Sequence, residues 1–116
     1  MSKEKTIISI YPDDSYYKFK YKDYIFKYEV NKRKYDSKVV PGTKGSIVIY
    51  FRSNKKKDQI NQFIKDCDLY DSQFPIKGEV VFVKFKKGQI ANITLDEILS
   101  IQIKAALKKK KICMIL

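Results

Sequence analysis

Tyr17-Lys18-Phe19-Lys20-Tyr21-Lys22-Asp23-Tyr24-Ile25-Phe26-Lys27-Tyr28-Glu29-Val30 is the stretch on which the fold turns. Its first half alternates. Tyr17, Phe19 and Tyr21 fall on one side of an extended chain, and Lys18, Lys20 and Lys22 fall on the other, because successive strand side chains point to opposite faces. After Asp23 the period resumes, with Tyr24, Phe26, Tyr28 and Val30 set against Ile25, Lys27 and Glu29. Period-2 alternation over this length predicts strands with one buried face. Tyr17, Phe19, Tyr24, Phe26 and Tyr28 are therefore expected in the core, with the lysines in solvent. The same separation argues against a base-stacking platform, which needs aromatic and basic groups exposed side by side.

Working outward, Ile7–Ile10 reads as a short strand, ended by the turn chemistry of Tyr11-Pro12-Asp13-Asp14-Ser15. Downstream, Asn31-Lys32 is expected to turn the chain into a strand over Arg33–Lys38. Pro41-Gly42 makes another turn before a strand over Ser46–Phe51. The period then changes. Ile60, Phe63, Ile64 and Cys67 stand at i, i+3, i+4 and i+7, one stripe of an amphipathic helix. Ser53 or Asn54 could cap it, but Lys55-Lys56-Lys57 oppose the helix dipole, which moves the start towards Asp58. The helix should end before Pro75. Glu79–Lys86 reads as a strand apolar on both faces, hence central. Lys87-Gly88 turns it into Gln89–Ile93. Thr94 and Glu97 then form a capping box for a helix from Leu95 towards Lys108. Its wet stripe is Glu97, Ser100, Lys104 and Lys108; Ile98, Leu99, Ile101, Ala105 and Ala106 are free to pack. The order of elements predicts an α+β fold, a small, mostly antiparallel curled sheet of five to six strands or a partial barrel, with two helices.

The chain has 116 residues and a net charge of +12. That length suits one domain, assigned to residues 1–107. A charge that large attracts polyanions. The excess is almost entirely lysine, with only two arginines, whereas arginine is preferred where phosphates are gripped in a fixed geometry. There is no histidine and there are two cysteines, so neither a disulfide framework nor a metal site is expected, and no cofactor is implied. A reducing, cytoplasmic setting follows. No apolar run approaches the length of a bilayer-spanning helix, and the N-terminus lacks a secretory apolar region. Pro41-Gly42-Thr43-Lys44-Gly45-Ser46 lacks the spacing of a phosphate loop and precedes a strand rather than a helix. Asp66-Cys67-Asp68 is a poor setting for a reactive thiol, because flanking carboxylates raise its pKa, and Cys67 completes the helix stripe. No base, nucleophile or ligand set suggests an enzyme.

Residues 108–116 form a polybasic-apolar tail. Lys108, Lys109, Lys110 and Lys111 charge every side of any helix they join, since helix residues are 100° apart. Ile112, Met114, Ile115 and Leu116 follow as an apolar peg. Cys113 stands where a C-a-a-X box would place a prenyl group, with leucine favouring geranylgeranyl and the lysines as second signal. Lys32, Arg33, Lys34, Lys55, Lys56 and Lys57 are candidate phosphate contacts from loops.

Tyr28-Glu29-Val30-Asn31-Lys32-Arg33-Lys34-Tyr35, Gly45-Ser46-Ile47-Val48-Ile49-Tyr50 and Asn54 together resemble a small bacterial β-domain family of unknown function. That family often accompanies membrane segments. Its pattern runs Tyr-x-Val-Asn-Gly-x-x-Tyr, then Gly-x-x-Val-x-Val-x-Tyr and Asn-Pro. Here Lys32 replaces the turn glycine and Lys55 the final proline. The resemblance implies a membrane-neighbouring, non-enzymatic module and transfers no site residues.

The sequence thus supports a non-enzymatic basic binding module, cytoplasmic and peripheral on an anionic membrane surface through its tail. One alternative is a non-specific nucleic-acid-binding protein governed by salt. Another is a viral or phage adaptor or inhibitor that binds another protein, covering a basic site on its nucleic-acid path or presenting a sheet edge.

Overall fold

The computed structural model describes residues 3–52, 59–69 and 76–115, with side chains to Lys108. Among these residues nine elements follow in order: β1 (Lys5–Ile10), β2 (Tyr16–Tyr21), α1 (Asp23–Lys32), β3 (Asp36–Val39), β4 (Ile47–Phe51), α2 (Gln62–Asp66), β5 (Val80–Lys86), β6 (Gln89–Ala91) and α3 (Leu95–Ile115). The sheet is six-stranded, ordered β2-β1-β5-β4-β3, with β6 paired to the far end of β5. Every pairing is antiparallel. Among the described residues the sheet does not close, and β2 and β3 are its edges. The architecture is α+β, as the order of elements predicts.

β5 is central and buried on both faces, which explains its unbroken apolar run. Val80 and Phe82 face one layer with Ile8, Ile10, Ile47 and Ile49, under Phe63 and Ile64 of α2 and Ile98 of α3. Val81 and Val83 face the other with Ile7 and Ile90, under Phe26 of α1. The sheet is therefore covered on both sides.

Residues 23–32 are a helix, where strand was expected. The segment satisfies two periods at once. Read at 3.6 residues, Phe26 and Val30 share the inward stripe, while Asp23 pairs with Lys27 at 3.0 Å and Glu29 with Arg33 at 3.0 Å, both at i,i+4. Phe26 packs edge-on to Tyr50, with centroids 5.3 Å apart, and touches Tyr21 and Phe85. Of the α1 aromatics only Phe26 is buried, at 5 % exposure; Tyr24 and Tyr28 are 62 % and 61 % exposed on the outer helix face. The expected turn at Asn31-Lys32 lies instead at Lys34, whose φ is 54°. Tyr35 N–H donates to the Val30 carbonyl across it at 3.2 Å, closing the helix.

β2 keeps the predicted alternation without the predicted burial. Phe19 lies opposite Ile7 and Tyr17 opposite Ser9, so the aromatics do share the α1 face. They remain exposed because β2 is an edge strand and α1 covers only its Tyr21 end.

α2 is shorter than its stripe suggested. Its cap is Asn61; Ser53, Asn54 and Asp58 lie outside the described residues. Ile60 forms an isolated bridge to Lys77, while Phe63, Ile64 and Cys67 are buried as expected. The Thr94–Glu97 capping box forms with both reciprocal bonds at 3.2 Å. α3 then runs past Lys108, its expected end, to Ile115 without a break in the helical backbone. Of the segments that carry the family resemblance, Tyr28–Tyr35 spans the end of α1 and Gly45–Tyr50 leads into β4.

Candidate functional site

Five strand ends meet at one end of the sheet: β1 and β4 finish there, and β2, β3 and β5 begin. The β1–β2 turn, the end of α1 and the start of β5 enclose a cleft of about 890 Å³. The chain's only two arginines both line it. Arg33 is delivered by the close of α1. It pairs with Glu29, and a hydrogen bond with Tyr35, followed by the Glu29 charge, raises its pKa above the ordinary arginine value. Arg52 is delivered by the end of β4 and lies over the Tyr35 ring, 5.4 Å from its centroid. Among the described residues Arg52 makes no ion pair.

Three tyrosines complete the walls. Tyr11 and Tyr17 meet edge to face at 5.5 Å, and Tyr17 keeps 56 % of its surface open. The Tyr11 hydroxyl donates to Glu79 Oε2 at 2.5 Å, and that bond, with burial and the Glu79 charge, pushes the phenol up to about 12. Asp13 is turned into its own loop, accepting from Ser15 N–H at 3.0 Å and from the Ser15 hydroxyl at 2.6 Å. Those bonds hold its carboxyl below the usual range. The cleft adjoins a smaller, drier hollow that shares Arg33, Tyr35 and Glu79 and reaches Phe19, Phe26 and Tyr50.

A second surface lies at the opposite end of the sheet. There α3 passes the β3–β4 turn, with Ile101, Lys104, Ala105 and Lys108 beside Val40–Thr43. Ile98 is buried and Ile101 packs against the core, which fixes the inner face of α3. Leu99, Ile103 and Leu107, at i, i+4 and i+8, are then left on the outside, 36 %, 58 % and 55 % exposed. Leu99 and Ala106, expected among the packing residues, belong to this open side.

The residues nominated from sequence divide. Arg33 reaches the cleft; Lys32 does not, and sits instead 5.8 Å over the Tyr28 ring on the outer face of α1. Lys34 is exposed at the left-handed turn and is absent from the cleft wall. Lys55, Lys56 and Lys57 lie outside the described residues, although the flanking Arg52 and Gln59 both line the cleft. Lys108 is exposed on α3; Lys109, Lys110, Lys111, Ile112, Cys113, Met114 and Ile115 lie on its helical backbone with side chains not described, and Leu116 lies outside the described residues.

Comparison with protein-family models, with curated proteins and with solved structures yields no match. The geometry therefore carries the functional argument. Sequence reading missed Tyr11, Tyr17, Tyr35, Arg52 and Glu79 as a set, because they come from five separate segments. The one available signal was the scarcity of arginine in so lysine-rich a chain. Among the described residues no helix is long and apolar enough to cross a membrane, and no group of His, Cys, Asp or Glu is arranged to hold a metal ion.

Proposed function

We propose that the protein is a non-enzymatic basic module that docks on an anionic membrane surface through α3. The observation that carries this reading is the open Leu99-Ile103-Leu107 stripe on a helix that also bears Lys104 and Lys108 and continues along the sequence Lys109-Lys110-Lys111. An amphipathic helix with an apolar stripe and flanking lysines lies in the plane of the lipid interface. The stripe enters the acyl boundary while lysine stems extend their ammonium groups to the headgroups. Each lysine near an anionic surface contributes about 1 kcal/mol, within a Debye length. The net charge of +12 has the sign such a surface requires. The reading does not depend on a lipid at Cys113.

Co-sedimentation with vesicles tests it. The protein should pellet with phosphatidylcholine/phosphatidylserine vesicles at low salt and stay in solution with phosphatidylcholine alone. The double variant Ile103→Ser/Leu107→Ser should lose the binding without losing thermal stability, because both side chains are already exposed. Equal binding to both vesicle types, or full binding by the double variant, would reject α3 as the membrane surface.

A further inference from the structure

The arginine cleft is distinct from α3 in position and in chemistry. An apolar-lysine helix suits a lipid surface. The cleft is polar and aromatic, open to solvent, and at about 890 Å³ has room for a small molecule. Solubility and charge are supplied everywhere on this protein by lysine. Arginine occurs twice, from segments 19 residues apart (33 to 52), and both copies arrive in this one cleft. Arginine differs from lysine in offering a planar fork of donors that matches phosphate oxygens. Arg52 is already oriented by the Tyr35 ring and has its fork uncommitted to a carboxylate among the described residues.

The opposite wall offers a different contact. Tyr17 lines the cleft, is held in a T-shaped contact with Tyr11 and keeps 56 % of its surface open. A braced, exposed ring is a platform for a flat, apolar-faced group. The two carboxylates on the wall, Asp13 and Glu79, argue against a ligand that is all anion. Both already accept bonds from within the protein, Asp13 from Ser15 and Glu79 from Tyr11, and each keeps further lone pairs. Those lone pairs can accept from exocyclic amino groups, as carboxylates do from base edges. Fork, platform and acceptors together describe a ligand with a phosphate, a flat ring and N–H donors.

We propose that this cleft binds a nucleotide, with the phosphate on Arg52 and Arg33 and the base stacked on Tyr17. The nucleotide is either free or one residue of a single strand. The shared chemistry is a phosphate joined to a base, and the experiment separates the two sources.

Calorimetric titration at about physiological salt, where diffuse lysine attraction is screened, uses three probes: 5′-AMP, ribose 5-phosphate and single-stranded decaadenylate. 5′-AMP should bind, and Arg52→Gln should weaken it about tenfold, the order of one lost charge-assisted contact. Arg52→Lys should also weaken it, because the charge remains but the fork is gone. Tyr17→Ala should weaken 5′-AMP about tenfold, as loss of one stacked base does, while leaving ribose 5-phosphate unchanged. Ile103→Ser/Leu107→Ser should leave all three titrations unchanged, which separates this site from the membrane reading. Decaadenylate binding no tighter than 5′-AMP assigns the cleft to a free nucleotide; much tighter binding that still falls with Arg52→Gln assigns it to a strand. No binding of either nucleotide probe, or binding indifferent to both Arg52→Gln and Tyr17→Ala, overturns the proposal.

Discussion

Asn61 ties the start of α2 to the end of β1: its side-chain amide donates to the Ile10 carbonyl at 3.0 Å from a position with no solvent exposure. The same amide donates to the Gly78 carbonyl at 2.8 Å, and its oxygen accepts the Ile64 N–H at 3.2 Å as the helix cap. One side chain thus satisfies three buried backbone groups from three segments. Asn61→Ala should destabilise the fold by roughly 2–4 kcal/mol, combining a lost cap with buried groups left unpaired. Asn61→Asp keeps the cap but sets a carboxylate against two carbonyl oxygens, and should be at least as damaging at neutral pH. Urea midpoints read both; a shift of less than about 1 kcal/mol for Asn61→Ala would show that water replaces the side chain.

The three aromatics of α1 should separate sharply under truncation. Phe26→Ala should cost about 3–5 kcal/mol, because the ring is buried among Tyr21, Tyr50 and Phe85. Tyr24→Ala and Tyr28→Ala should each stay within about 0.5 kcal/mol, as exposed substitutions do. Equal losses at all three positions would mean that residues 24–28 present one buried face, which is the strand arrangement.

Glu97 links the capping box to the sheet through Lys84 at 2.8 Å. Burial alone would raise its carboxyl, but the Lys84 ammonium and the Thr94 N–H outweigh it and hold the pKa below the ordinary 4.5. A depressed folded-state pKa contributes stability above the unfolded value and loses it as pH falls through the folded value. Both side chains are about one-third exposed, so the contribution is under about 1 kcal/mol. Glu97→Gln should lower the thermal midpoint at pH 7, and the gap to the parent should close as pH falls below the ordinary carboxylate value of 4.5 and on through the depressed folded one. A gap that does not change with pH would leave the loss to the cap geometry alone.

Cys67 should be chemically silent in the folded protein. It is 4 % exposed, and burial, followed by the neighbouring Asp66 charge, pushes its thiol up to about 12. In a Cys113→Ser variant, where it is the sole thiol, labelling by a maleimide at pH 7 should be slow and should accelerate only as urea opens the fold. Fast labelling without denaturant would place Cys67 on an accessible surface.

What the sequence determined by itself are the features fixed within a few residues. The Thr94–Glu97 box needs only an i,i+3 spacing, the Lys87-Gly88 turn needs only its own backbone, and β5 declares its central place because both of its faces are apolar. These follow from local stereochemistry and from the period of a strand. The tertiary structure decided the rest. Residues 24–30 satisfy the strand period and the helix period alike, and helix prevails because the Val81-Val83-Ile90 face must be covered by one inward stripe, Phe26 and Val30. The placement of β2 at an edge left Tyr17 and Phe19 open although their alternation is intact. The meeting of Tyr11, Tyr17, Arg33, Tyr35, Arg52 and Glu79 is set by antiparallel strand order, which brings distant strand ends to one rim. No local period encodes that order, because it arises from the burial of β5 between β1 and β4.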